Sequence, residues 1–474
     1  MAKTKIVATI GPATVTPDML RGLKAAGMSM ARLNGSHANL DWHRHAIATI
    51  RKVLPDVPIL LDIPGRKIRT TQLAHEPEFD VGDIIVLTTD KSHDGTKKVP
   101  VNYAQLHEDL STGNTILADD GTLRFTVTEV SSSDISCRAE TKGKLKSCKG
   151  INVPFVTLQT KTVTPRDVQM IGFAKETGVD FIGISFVESA SHIEEIRAVI
   201  GQAFPKIVAK VENRGGIENL EEIVKATDVI MIDRGDLSVE TALESVAMMQ
   251  KKIILAARKE ARPVIVATEM LHSMIENSFP TKAEVSDITN AVLDGAAALM
   301  LSGETAIGKY PVETVALMRR VADITTSMDE KIQPLGDGEL GSIPDAMQVA
   351  VSLLSQRLPV TKIVAITISG YAAHRLSSCL PDQPILAVTN DRPTARSFNL
   401  LPGTEGVYVD VEFSRTGTEH IPKCLETLWR GGKIEAQDMI LVISLVYPRS
   451  GNRMNLIEAH QVQDLMDTFG WKRG

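Results

Sequence analysis

The sequence predicts an α/β protein: a (β/α)8 barrel with a small β-barrel lid domain inserted in it and an open α/β domain at its C-terminal end. Three observations predict this. Short apolar runs rich in Val and Ile recur, each followed by a helical pattern. The runs are continuous rather than alternating, as befits parallel strands buried on both faces. Polar and charged residues gather at their C-terminal ends, the face of such a barrel that carries the site.

The runs are IVATI (6–10), SMARLN (29–34), ILLDI (59–63), FIGISF (181–186), IVAKVE (207–212), VIMID (229–233), VIVAT (264–268) and ALMLS (298–302). Amphipathic segments such as TPDMLRGLKAAG and HIEEIRAVIGQAF lie between them. The first opens Thr-Pro and closes in Gly, the expected asymmetry of helix caps. The polar ends are Asn34 and Ser36, Asp62, Ser185, Lys210 and Glu212, Asp236, Thr268, and Ser302 and Glu304.

The rhythm breaks after the third run. From about 70 to 156, segments such as DIIVLTTD, NTILADDGTLRFTVTEV and DISCRAET alternate and end in Asp, Gly and Ser turns, the signature of antiparallel strands. A small β domain is therefore expected in the loop after strand three, over the mouth of the barrel. LGDGELGSIPDA reads as a linker. Beyond it KIVAITI, PILAVTN, GVYVDV and MILVISL alternate with helical stretches. The expected domains are 1–69 and 157–335 for the barrel, 70–156 for the lid and 336–474 for the C-terminal domain.

Composition narrows the function. A net charge of -6 argues against a nucleic-acid partner, because no basic excess neutralises phosphates. Cys137, Cys148, Cys379 and Cys424 form no Cys-x-x-Cys and lack metal-spaced His, so reduced thiols are expected. No apolar run reaches eighteen residues, and the N-terminus has no signal-peptide core, so no membrane span and a cytoplasmic setting are expected.

One stretch, Lys206–Leu237, carries the densest chemistry. Lys210 and Glu212 alternate at the end of a strand and so point the same way; Asp236 follows the next strand. A lysine and two carboxylates converging at one rim suit Mg2+ and a phosphoryl group in flight. A buried salt bridge beside a surface Asp explains the spacing equally well. Gly215, Gly216 and Gly235 let backbone approach a ligand, and Gly235 offers an N–H at a helix start.

TKIVATIGPAT, ARLNGSH, ILADDG, LKSCKGINVP, DFIGISFV, VAKVEN, DRGDL, VIVATEMLHSM, PTKAEVSDITNAVLDGA and MLSGETAIGKYP, in this order, resemble the pyruvate kinase family. The resemblance implies phosphoryl transfer between phosphoenolpyruvate and ADP, giving pyruvate and ATP, in a homotetramer. It puts the divalent metal, Mg2+ or Mn2+, on Glu212 and Asp236. Lys210 falls on the lysine that stabilises phosphoryl and enolate, and Arg32 on the arginine that holds the phosphate. Thr268, Gly235 and Asp236 fall beside the substrate carboxylate. Ser302 and Glu304 fall on the relay that protonates the enolate. Asn34, His37, Arg69 and Lys149 match the nucleotide side, and Asp120 the lid aspartate facing the site. Bland roles stand beside these: Asn34 and Ser36 as a turn, Glu304 as a helix cap, His37 as a surface histidine.

Departures from the family pattern are informative. DIPGRKIRT (62–70) replaces the common DTKGPEIRT, which puts Ile63, Pro64 and Lys67 where Thr, Lys and Glu are usual. Asn34, Ser36, Asp62, Ile63 and Lys67 mark the monovalent-cation site or its replacement. An ammonium is itself a compact monovalent cation, so K+ is not expected to be required. Asp233 stands for the usual Ala and is expected to pair with Arg234. Glu269 stands for Gln and Glu188 for Arg, so a rim more acidic than usual is expected. In TISGYAA (367–373), Thr367, Ser369 and Gly370 suit an anion nest, but Tyr371 and Ala372 weaken the resemblance to a sugar-phosphate effector loop. Two alternatives follow: a divergent Mg2+-dependent barrel acting on another enolpyruvate or 2-oxo acid, motivated by the acidic rim, and a non-catalytic paralogue. The second predicts loss of a metal ligand or a phosphate-binding cation, and Glu212, Asp236, Lys210 and Arg32 are all present.

Overall fold

The computed structural model describes residues 3–119, 121–154, 156, 158, 162–327, 342–414, 417–446 and 454–472. Eight parallel strands close into a barrel: β1 (Lys5–Thr9), β2 (Met30–Asn34), β3 (Ile59–Ile63), β4 (Phe181–Ile184), β5 (Lys206–Val211), β6 (Val229–Asp233), β7 (Val264–Ala267) and β8 (Ala298–Leu301). Each strand pairs with the next, and β8 returns to β1. The helix after β1, Pro17–Ala26, has Thr16 as its cap and ends at Gly27 with φ 118°, as its sequence predicts.

Strand alternation places the site. Val7, Met30, Leu60, Phe181, Val208 and Val229 point inward and form one interior cluster. Two residues on, the same faces carry Thr9, Arg32, Asp62, Lys210 and, two beyond Met231, Asp233. The lower barrel is thus apolar and its upper rim charged. Gly183 makes room: a Cβ there would sit 2.8 Å from Asp62 Oδ1. A second cluster lies between the strands and the surrounding helices.

The insertion after β3 is a seven-stranded sheet running from Ile68–Arg69 to Gly150–Asn152. Its two outer strands meet at a Thr70–Val101 bridge, where Thr71 N donates to Pro100 O (2.9 Å) and Asn102 N to Arg69 O (3.0 Å). That contact closes the small barrel around Phe79, Leu87, Ile116, Phe125 and Ile135. It leans on the helix after β6, Arg234–Glu240: Asn152 Nδ2 donates to Glu240 Oε1 at 2.8 Å, and Gly121 packs against Val239.

The C-terminal sheet has β9 (Lys362–Ile366), β10 (Ile385–Thr389), β11 (Thr404–Tyr408), β12 (Met439–Ser444) and β13 (Leu456–Gln461) in the order β11-β10-β9-β12-β13. Only β13 runs antiparallel, and it is an edge strand that the sequence reading does not anticipate. Leu400 from this domain joins the barrel's interior cluster beside Phe181 and Val229, sealing the end where the strands begin. Asp180, 0% exposed, ties the domains: it accepts from Arg51 (2.6 Å), from Arg396 of the C-terminal domain (2.8 Å) and from Ile59 N (2.8 Å). The expected boundary at 335/336 lies outside the described residues. No described helix is long and apolar enough to cross a membrane. The four cysteines are free thiols.

Candidate functional site

Three cations and four carboxylates line the rim. Arg32 Nη2 and Nε bond Asp62 Oδ2 at 2.6 and 3.1 Å, and Nη1 donates to Thr9 Oγ1 at 3.0 Å, fixing the guanidinium plane. Lys210 Nζ lies 3.0 Å from Glu212 Oε2, 3.2 Å from Asp233 Oδ2 and 3.9 Å from Asp62 Oδ2, and donates to Ser185 Oγ at 3.2 Å. Ser185 Oγ in turn donates to Ile63 O at 3.0 Å. Lys67 bonds Asp236, across the mouth from the lid hinge. Arg32, Asp62, Lys210, Glu212 and Asp233 are all buried.

Burial and charge compete at these groups. Burial disfavours the Lys210 ammonium, but Asp62, Glu212, Asp233 and Asp236 outweigh it and hold the pKa well above the ordinary value. Burial pushes Glu212 up to about 8, partly offset by Lys210. Burial also raises Asp236, helped by the negative charge of Asp233. At Asp233 burial is overcome by Lys210 and Lys67, which hold its carboxyl below the usual range.

The carboxylates of Glu212, Asp233 and Asp236 present one oxygen each, all within 4.8 Å of one another. Glu212 Oε1 accepts from Phe186 N at 2.8 Å, and its buried Oε2 has the Lys210 ammonium 3.0 Å away as its ion-pair partner. Three hard carboxylate oxygens gathered at one place fit a hard divalent cation.

Thr268, just past β7, has φ 69°, a strained value for a β-branched residue. The turn brings its Oγ1 to Gly235 N, which donates to it at 2.9 Å. Ser302 follows β8; its N donates to Glu304 Oε2 (2.7 Å), while Glu304 Oε1 takes Leu271 N (3.3 Å). Glu304 is therefore consumed by two backbone N–H groups that lock this loop to the one after β7. Asn34 Oδ1 accepts Ser36 N at 3.1 Å, an Asx turn, so the bland role is real here. His37 is exposed at the surface, and partial burial of its ring with the nearby Arg69 and Arg32 charges lowers its pKa. Arg69 donates to Cys148 O (3.1 Å), and Lys149 pairs with Asp119 (2.6 Å), at the lid hinge. Asp120 lies outside the described residues.

Several expectations need correction. Asp233 does not pair with Arg234. Arg234 turns outward to Asp287 (2.8 Å) and to Thr268 O (2.8 Å), because successive residues at a strand end diverge. The rim does not carry the expected acidic excess unopposed: Glu188 pairs with Arg66, and Asp236 with Lys67. Gly215 and Gly216 admit the 187–188 backbone and side chain of the neighbouring loop rather than a ligand. Lys67 bonds Asp236, whereas the partners of Asp62 are Arg32 and Lys210.

Comparison with known proteins follows the same lines. Residues 1–315 match the family model "Pyruvate kinase, barrel domain", and 345–460 match "Pyruvate kinase, alpha/beta domain". The chain is 36% identical to a pyruvate kinase of Bacillus licheniformis, covering 98% of this chain and 81% of that one. It is 37% identical to a pyruvate kinase of Mycobacterium tuberculosis (strain ATCC 25618 / H37Rv), covering 97% and 98%. It is 38% identical to "Pyruvate kinase 2" of Synechocystis sp., covering 86% and 71%. With both of its domains matched and the charged rim in place, the chain belongs to the pyruvate kinase family and is a phosphotransferase.

Proposed function

We propose that the rim performs the family's reaction, phosphoryl transfer from phosphoenolpyruvate to ADP, with Lys210 at its centre. The observation that carries this is the buried Lys210 ammonium, held charged among three carboxylates at the barrel mouth. Glu212 and Asp236 would hold Mg2+ or Mn2+, which when bound supplies positive charge to the transferring phosphate oxygens. Arg32, its plane fixed by Asp62 and Thr9, binds the phosphate. Lys210 neutralises the phosphoryl group and then the enolate. The Asp236 N–H and the Thr268 hydroxyl receive the substrate carboxylate, joined by the Gly235 N–H once it gives up Thr268 Oγ1. Ser302 orients the proton delivered to carbon, and Glu304 acts through it by holding its loop. Asn34, His37, Arg69 and Lys149 face the nucleotide from β2 and the lid hinge. Asp120 completes that side in this reading.

The Lys67 ammonium replaces the monovalent cation, so the enzyme works without K+. Its contact with Asp236 supports this, because a fixed charge already sits beside the carboxylates. A homotetramer in the cytoplasm, and the division at 69/70, 156/157 and 335/336, complete the reading. Arg66 offsets Glu188 and Lys210 offsets Asp233, while Glu269 is exposed to solvent, so no observation favours a divergent substrate. Initial rates in tetramethylammonium and in potassium buffers test the cation reading. The wild type should differ less than twofold between them, and Lys67→Glu should become potassium-stimulated. A large stimulation of the wild type would refute it.

A further inference from the structure

The geometry points to Asp233 as a third carboxylate ligand of the divalent-cation site, with Lys67 as the charge that makes a third carboxylate tolerable there. The inference rests on the reading that Glu212 and Asp236 hold the cation.

Asp233 is the last residue of β6, 8% exposed, and faces inward two positions beyond Met231. One of its oxygens lies within 4.8 Å of an oxygen of both Glu212 and Asp236. Opposite oxygens around Mg2+ stand about 4.2 Å apart, twice the usual 2.0–2.1 Å bond, and around larger cations nearly 5 Å. Neighbouring oxygens on one octahedral ion stand only about 3 Å apart, so the three carboxylates take one ion by closing inward around it. Glu212 is 0% exposed, with Oε1 fixed by Phe186 N and Oε2 held 3.0 Å from Lys210 Nζ, so its carboxylate is set in place before an ion enters. Among the described residues the ion-pair partner of Asp233 is Lys210 at 3.2 Å, and Lys210 keeps Glu212 and Asp62 if Asp233 turns to the ion.

Charge balance supports the assignment. A third carboxylate in a buried cluster raises the repulsion among its members unless a cation enters with it. Lys67 enters in this chain, on Asp236, and its positive charge also acts on Asp233. Added ligand charge strengthens cation binding. A site with three carboxylates takes up its cation before substrate oxygens are available.

The test is Mn2+ binding to the full-length protein without substrate, followed by electron paramagnetic resonance of free Mn2+ and by water-proton relaxation of the bound ion. Asp233→Ala should weaken binding tenfold or more, and the bound ion should gain a water. Asp233→Asn, which keeps the side-chain shape, guards against misfolding and should also weaken binding. Glu188→Gln, a carboxylate outside the triangle, should stay within twofold of wild type. If Asp233→Ala binds Mn2+ within twofold of wild type, or if relaxation shows no added water, the assignment is overturned. Glu212→Gln and Asp236→Asn separate the two levels. If both leave Mn2+ binding intact, the underlying site reading fails; if both abolish it while Asp233→Ala does not, only the third-ligand assignment fails.

Discussion

Replacing Lys210 with Met removes the ammonium but keeps the length and most of the volume of the side chain. Lys210 faces carboxylate oxygens at 3.0, 3.2 and 3.9 Å. At an effective permittivity near 20, each contact is roughly 4–6 kcal/mol of attraction before desolvation is charged against it. A phosphate or enolate oxygen at similar range gains a comparable gross term. Mutational experience with one preorganised donor puts the net loss at about 3–4 kcal/mol. Loss of a full charge belongs at the upper end, so kcat should fall at least about 1,000-fold, close to 4 kcal/mol. A coupled assay with phosphoenolpyruvate and ADP reads this directly, with KM for phosphoenolpyruvate changing less than kcat. Lys210→Arg should not restore the rate, because a planar fork does not reproduce a compact point charge. A Lys210→Met enzyme retaining more than a tenth of wild-type kcat would refute the reasoning.

Other predictions concern the frame of the site. Asp180→Ala leaves Arg51 and Arg396 without their shared carboxylate and Ile59 N without an acceptor, a loss of about 3–5 kcal/mol. Calorimetry should show the barrel and C-terminal domain unfolding at separate temperatures; one unchanged transition would count against the account. His192 is 2% exposed, and burial, aided by Arg66, lowers its pKa from 6.5 to about 4. As pH falls below 6.5 the unfolded chain takes up the proton first, so stability is complete above that value and is lost toward pH 4. The loss is about 2 kcal/mol at pH 5. Urea titrations at pH 7.5 and 5 should show this extra loss in the wild type and not in His192→Asn.

Much of the fold is legible because eight strands buried on both faces must be apolar throughout, and their polar ends mark the rim. β13 escapes that logic: LIEAHQ is half-exposed on a sheet edge and has no continuous apolar run. The residues of the metal and phosphoryl groups are legible through alternation, which sends Lys210 and Glu212 the same way. Their partners are not. Arg66 and Glu188, or Lys67 and Asp236, meet only because β3, β4 and β6 bring distant loops to one mouth. Adjacency in sequence suggests Arg234 for Asp233, yet the strand-to-helix turn separates them. The left-handed backbone of Thr268 has no sequence signal at all, since a β-branched residue is among the least expected there.

The most direct test measures ATP formed from phosphoenolpyruvate and ADP by the wild type and by Glu212→Gln, with Mg2+ or Mn2+ and with excess chelator. The account predicts rapid ATP formation by the wild type that needs the divalent cation. It also predicts loss of at least about two orders of magnitude in Glu212→Gln, the scale of one electrostatic element of the site. No ATP from the wild type with either cation, or full activity in Glu212→Gln, would contradict it.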